Sequence, residues 1–167
     1  MYDPTALALR PNVQPDADNP LATGQDCYRT IADYYAAITA LDEQLARLLD
    51  RLDVLGLAED TIVVFTSDHG DMLWSHGWMK KQAPYEESIS VPFLIRWPGV
   101  LPAGRACDTL VGTVDILPTL AGLMGWDLSN GQEGQDLSAT LLGQAGAPSP
   151  ESVLIANYIC FDEAKRQ

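Results

Sequence analysis

From Tyr28 onward the chain places Ile31, Tyr34, Tyr35, Ile38, Leu41, Leu45, Leu48, Leu49, Leu52 and Leu55 at steps of three and four residues. That spacing gathers them on one side of a 3.6-residue turn and predicts a long amphipathic helix over residues 28–55. Gly56 stands where such a helix stops, because glycine enters the left-handed conformation without a Cβ penalty. The other side carries Asp42, Glu43, Arg47, Asp50, Arg51 and Asp53 and reads as solvated surface. The pattern then changes. Residues 61–67 open with Thr61, Ile62, Val63, Val64 and Phe65 in succession, which suits a strand covered on both faces, as in a parallel sheet. A second strand is expected over residues 91–97, closed by Pro98 and Gly99. Helical spacing returns over residues 114–124, with Thr113 or Asp115 placed as a cap and Pro118 near the tolerant first turn. A short helix over 137–142 and a third strand over 152–158 complete the order. Residues 1–25, rich in proline, form an irregular lead-in. Helices alternating with apolar strands make this an α/β chain.

Composition narrows the class. At 167 residues, with 47% hydrophobic and 20% charged side chains, the chain matches about one globular domain. It holds no uninterrupted apolar window long enough for a membrane span. Ten basic against twenty-three acidic residues give a formal charge of −13, which argues against nucleic acid and against an anionic membrane surface as partners. Cys27, Cys107 and Cys160 are far apart and form no CxxC pair, so free thiols in a reducing, cytoplasmic compartment are the expectation. No basic-then-apolar leader opens the sequence.

The chemistry lies between the first two strands. The stretch TSDHGDMLWSHGWMKK, residues 66–81, contains Asp68, Asp71, His69, His76, Lys80 and Lys81. In open α/β sheets, ligands gather beyond the carboxyl ends of strands, where loops diverge. A carboxylate there suits a hard divalent cation, and a neutral imidazole widens the choice toward transition metals. By spacing alone, a turn-capping carboxylate beside a solvated histidine explains Asp68-His69 as simply. Its neighbours favour a site. Gly70 permits close backbone approach, and Lys80 and Lys81 lie near enough along the chain to return to an anion held by the metal. Trp74 and Trp78 are candidates for an apolar wall beside a substrate, with buried packing expected for at least one.

Thr66-Ser67-Asp68-His69-Gly70-Asp71-Met72-Leu73, then Ser75-His76-Gly77, Met79-Lys80-Lys81, Pro84-Tyr85-Glu86-Glu87-Ser88 and Val91-Pro92-Phe93-Leu94-Ile95-Arg96-Trp97-Pro98-Gly99, resembles the second half of the sulfatase family. Tyr34-Tyr35-Ala36-Ala37-Ile38-Thr39-Ala40-Leu41-Asp42 is similar to the family's long helix, and Val114-Asp115-Ile116-Leu117-Pro118-Thr119-Leu120 to a later family segment. The fold this implies is α/β, a partial alkaline-phosphatase-like sheet with flanking helices. The implied cofactor is a divalent metal, calcium, or manganese as in phosphonate- and phosphodiester-cleaving relatives. Residue by residue, Asp68 and His69 match the family's metal pair. Lys81 matches its catalytic, sulfate-contacting lysine, with His69 also on the substrate side. Lys80 is read as surface, His76 as a structural loop residue and Asp71 as loop polarity.

The departures from the family pattern set further expectations. Trp74 stands where glycine is common, Ser90 where arginine often precedes Val-Pro, and Gln82-Ala83 lengthens the loop. The family's nucleophile is a formylglycine matured in a C-x-P-S-R-type motif. Cys27, Cys107 and Cys160 are followed by Tyr28, Asp108 and Phe161 in sequences that do not match it. The nucleophile and the family's early aspartates are therefore expected in a missing N-terminal half, with residues 26–167 a sulfatase catalytic domain incomplete at both ends. The implied function is a portion of a metal-dependent sulfatase acting on a sulfated small molecule or sugar, with the isolated chain inactive. A phosphonate or phosphate diester hydrolase and a non-catalytic module stay open. Self-association through exposed sheet edges is expected.

Overall fold

A computed structural model describes residues 2–22, 24–81, 83–128 and 131–155. The described residues form two compact units, one within residues 2–56 and 65–93, the other within residues 57–64 and 94–155.

The first unit is organised on α1, Cys27–Val54. Asp26 caps it, accepting the Arg29 N–H at 2.7 Å, and so satisfies one of the donors that the first turn leaves open. Leu55 ends it and Gly56 follows at φ 67°, as the periodicity predicts. Its apolar stripe is buried at the start, through Cys27, Ile31 and Ala32, but Ile38, Leu41 and Leu48 are 49%, 58% and 51% exposed. The period of the pattern is borne out, while most of the stripe is uncovered among the described residues. The lead-in is packed rather than loose. It contains 3-10 turns at Pro4–Ala6 and Pro20–Ala22. Leu7, Leu9, Val13 and Leu21 pack against a core of Ala22, Cys27, Ile31, Leu73, Trp74 and Met79.

Strand β1 is Val63–Thr66 and β2 is Phe93–Arg96, and the two pair in a two-stranded sheet. Both are shorter than their apolar runs. β1 is half-buried, with Thr66 exposed, so the expected cover on both faces is absent among the described residues. A strand pair without further layers cannot bury both its faces. Between them lies α2, Glu86–Ile89, one turn that sequence periodicity did not indicate.

In the second unit a 3-10 turn at Thr113–Asp115 leads into α3, Ile116–Met124. Asp115 precedes α3 without capping it through its side chain. Instead, its buried carboxylate accepts the Gly112 and Gln135 N–H groups, each at 2.8 Å. Gly125, at φ 66°, ends the helix. The Thr119 hydroxyl accepts the Leu137 N–H at 3.1 Å, tying α3 to the start of α4, Ser138–Leu141. Residues 152–155 form no strand. The remainder of that expected strand, and Cys160, lie outside the described residues. Cys27 and Cys107 are free thiols. Among the described residues, no helix is long and apolar enough to cross a membrane.

Candidate active site

β1 ends at Thr66, and the chain turns at once. The Ser67 hydroxyl donates to the His69 carbonyl at 2.8 Å, and Asp68 Oδ1 accepts the His69 N–H at 3.0 Å. The Asp68 side chain is 82% exposed and that of His69 38%. His69 Nδ1 lies 2.7 Å from the Gly70 carbonyl. A carbonyl only accepts, so Nδ1 carries the proton and Nε2 presents a lone pair. Lys81 Nζ donates to that lone pair at 2.6 Å. Asp68 Oδ2 lies 3.4 Å from the same nitrogen. Asp68, His69 and Lys81 therefore converge, with a carboxylate oxygen and an ammonium both close to one imidazole nitrogen.

The return of Lys81 to His69 depends on a clasp. Asp71 Oδ1 accepts the N–H of Leu73 at 2.9 Å and that of Lys80 at 3.1 Å, and Met72 donates to the Lys80 carbonyl at 2.7 Å. Asp71 thus closes the base of the excursion, a role its spacing did not disclose. Inside it, Leu73, Trp74, His76 and Lys80 all have positive φ, from 41° to 62°. Such conformations cost side-chain-bearing residues roughly 1–2 kcal/mol each and persist where packing over-determines them. Met72, Trp74 and Ser75 are almost wholly buried and supply that packing. Trp74 is core, whereas Trp78 is exposed. The φ of 62° at Trp74 also gives a physical reason for glycine at the matching place in the resemblance.

His76 does not join His69 and Lys81 but belongs to a bracket on the lead-in side. Its ring stacks on Tyr85 at 4.3 Å, and its N–H donates to the Asn12 carbonyl at 2.8 Å. The Asn12 amide donates to Glu87 Oε1 at 2.6 Å, and the Arg10 guanidinium and His76 Nε2 each lie 3.9 Å from that oxygen. The residue's own backbone amide, then Asn12, Arg10 and His76, hold the Glu87 carboxyl below the usual glutamate range against the opposing effect of burial. Neither described thiol belongs to this cluster. Burial and nearby acids push the Cys27 thiol up. Cys107, held down by hydrogen bonds from Thr109, lies in the other unit.

Asp68 and His69 fit a divalent cation as part of its shell. Their donors are adjacent and the carboxylate is accessible, yet among the described residues no group of three or more His, Cys, Asp or Glu side chains is placed to hold a metal. His69 Nε2 also has one lone pair, so a cation bound there would displace the Lys81 ammonium and leave its donors for an anion.

The sulfatase family model matches residues 4–126. The chain is 41% identical to an ulvan-active sulfatase of Formosa agariphila over 96% of its own length and 31% of that protein. A Bacteroides thetaiotaomicron structure, solved in work on glycosaminoglycan metabolism, matches at a TM-score of 0.76 and 32% identity, over 89% of this chain and 29% of that one. The phosphonate monoester hydrolase of Silicibacter pomeroyi matches at a TM-score of 0.74 and 26% identity, over 87% and 33%. The chain thus spans about a third of the length of the relatives it matches, with the mixed helix and strand architecture of the alkaline-phosphatase-like fold. By the extent of the family match and the agreement in fold, the chain belongs to the sulfatase family.

Proposed function

We propose that this chain is the portion of a metal-dependent sulfatase that carries Asp68 and His69 as metal ligands and Lys81 as the residue gripping the sulfate ester. The observation carrying this reading is the 2.6 Å contact between Lys81 Nζ and His69 Nε2, beside the accessible Asp68 carboxylate. A lysine ammonium has three N–H donors. A cation that takes the His69 lone pair would release this ammonium and leave its donors for the oxygens of a sulfuryl group, whose charge grows during transfer. His69, fixed as the Nδ1–H tautomer by Gly70, directs its lone pair to a cation, and Asp68 adds negative charge beside it. A bound calcium or manganese ion would polarise the sulfuryl oxygens and stabilise an ionised nucleophile. The formylglycine nucleophile comes from a region this chain does not contain. A sulfated small molecule or sugar as substrate is supported by the likeness to the ulvan-active sulfatase. Half-exposed Ile38, Leu41 and Leu48 on α1 support self-association of the chain when it is alone.

A second reading, phosphonate or phosphate diester hydrolysis, is supported by the likeness to the Silicibacter pomeroyi hydrolase. Both readings are tested by completing the segment with a nucleophile-bearing sulfatase region and assaying an aryl sulfate beside an aryl phosphonate. Preference for the sulfate, with both activity and metal content lost in Asp68→Ala, is expected. Unchanged metal content in that variant would remove Asp68 from the ligand set, and preference for the phosphonate would favour the second reading. The 167-residue chain alone is expected to show no turnover above its Asp68→Ala control.

A further inference from the structure

Ser88 stands between the segments that carry His69 and Lys81, and its two oxygen atoms reach both. It is 4% exposed and sits in α2, where its N–H donates to the Tyr85 carbonyl at 2.8 Å. Its carbonyl accepts the Gly70 N–H at 2.8 Å, one residue from His69. Its hydroxyl donates to the Lys81 carbonyl at 2.9 Å. Gly70 closes the same junction from the other side, since a Cβ there would collide with the Glu87 carbonyl. The bracket of Asn12, His76, Tyr85 and Glu87 holds the preceding residues of α2.

We propose that Ser88 is a positioning residue that sets the separation of His69 and Lys81. The hydroxyl fixes the backbone from which the Lys81 side chain departs, and the carbonyl fixes the backbone beside His69. Because one buried residue makes both bonds, a movement of either segment breaks a hydrogen bond away from water, where its loss is costly. The functional meaning of this role rests on the reading of His69 and Lys81 given above, but the geometry itself can be tested without any ligand.

The test uses the whole 167-residue chain labelled with nitrogen-15, at a pH where the His69 ring is neutral. In the wild type, a protected Gly70 amide and an imidazole pattern dominated by the Nδ1–H tautomer are expected. Ser88→Ala deletes the hydroxyl bond to the Lys81 carbonyl and keeps the carbonyl that accepts from Gly70, so it should move the imidazole pattern toward a tautomer mixture and speed Gly70 amide exchange through the loosened junction, while the Trp97 indole signal in the other unit stays unchanged. Ser88→Thr, which keeps the hydroxyl, should restore both readouts. An unchanged His69 pattern in Ser88→Ala, or a loss in Ser88→Thr as large as in Ser88→Ala, would overturn the role. Should Ser88→Ala unfold, the wild type decides: open-loop exchange at Gly70 overturns the proposal and protection supports it. Inorganic sulfate added to the wild type separates the two readings. No response at Lys81, with the Ser88 effects present, would remove the anion-binding reading and leave the positioning role standing.

Discussion

Lys81 Nζ donates to His69 Nε2 at 2.6 Å, although twelve positions separate the two residues in the chain. The contact pairs a cation with the lone pair of a neutral ring, so it survives only while His69 keeps its proton on Nδ1. Gly70 supplies the acceptor that keeps it there. Lys80, next in sequence, instead commits its backbone to Asp71 and leaves its side chain exposed.

The two lysines should therefore separate in a variant series. In a completed enzyme, Lys81→Ala is expected to lose about 2.7–4 kcal/mol of transition-state stabilisation, the usual cost of deleting a preorganised donor. Lys80→Ala should stay close to wild type. Divalent-ion binding in Lys81→Ala should be equal or tighter, because a competing ammonium has left His69. Steady-state kinetics and metal titration on the same preparations decide this, and equal kinetic losses for the two lysines would refute the assignment.

Gly70→Ala should be destabilising out of proportion to one methyl group. The added Cβ would meet the Glu87 backbone carbonyl, which cannot swing aside as a flexible side chain would. Overpacking of this kind costs about 1–3 kcal/mol, and the thermal midpoint should fall accordingly. A midpoint equal to wild type would mean that the loop has room not evident in the packing.

At Trp74 two effects oppose each other. Trp74→Gly would relieve a positive φ worth roughly 1–2 kcal/mol, but it would empty a nearly fully buried indole site, where truncation of a large aromatic costs about 3–5 kcal/mol. Packing wins, so the variant should be less stable than wild type by chemical denaturation. A more stable Trp74→Gly would show that the strain is the larger quantity.

Glu87 gives the acid limb of stability a definite sign. Its carboxyl is held below the usual value, about 4.3 for an unfolded glutamate, first by its own backbone N–H and then by Asn12, Arg10 and His76. The native state therefore prefers the ionised form. The resulting stabilisation is present above the unfolded value and is lost as pH falls through the lower folded one. Unfolding midpoints measured from pH 6 downward should decline less steeply in Glu87→Gln than in wild type. Parallel declines would remove Glu87 as a contributor.

Much of the framework was legible in local pattern. The three- and four-residue spacing of α1 and the stop at Gly56 follow from helix geometry and the freedom of glycine, and both are present. The apolar runs located β1 and β2 but overstated their length and cover, because hydrophobicity reports a preference for burial and not the presence of neighbours. Asp115 shows the same limit. Its position suggested a helix cap, and its carboxylate instead serves Gly112 and Gln135, the latter twenty residues away.

By itself, then, the sequence determined the period of the helices, the order of α1, β1, β2, α3 and α4, the family motif and the inventory of Asp68, His69 and Lys81, since each is carried by residues close together in the chain. Only the tertiary structure decided that Asp71 clasps the loop, that Trp74 is buried while Trp78 is not, and that Ser88 joins the segments of Gly70 and Lys81. Those outcomes depend on hydrogen bonds and packing between residues distant along the chain, whose formation is set by which groups the fold brings within about 3 Å of one another.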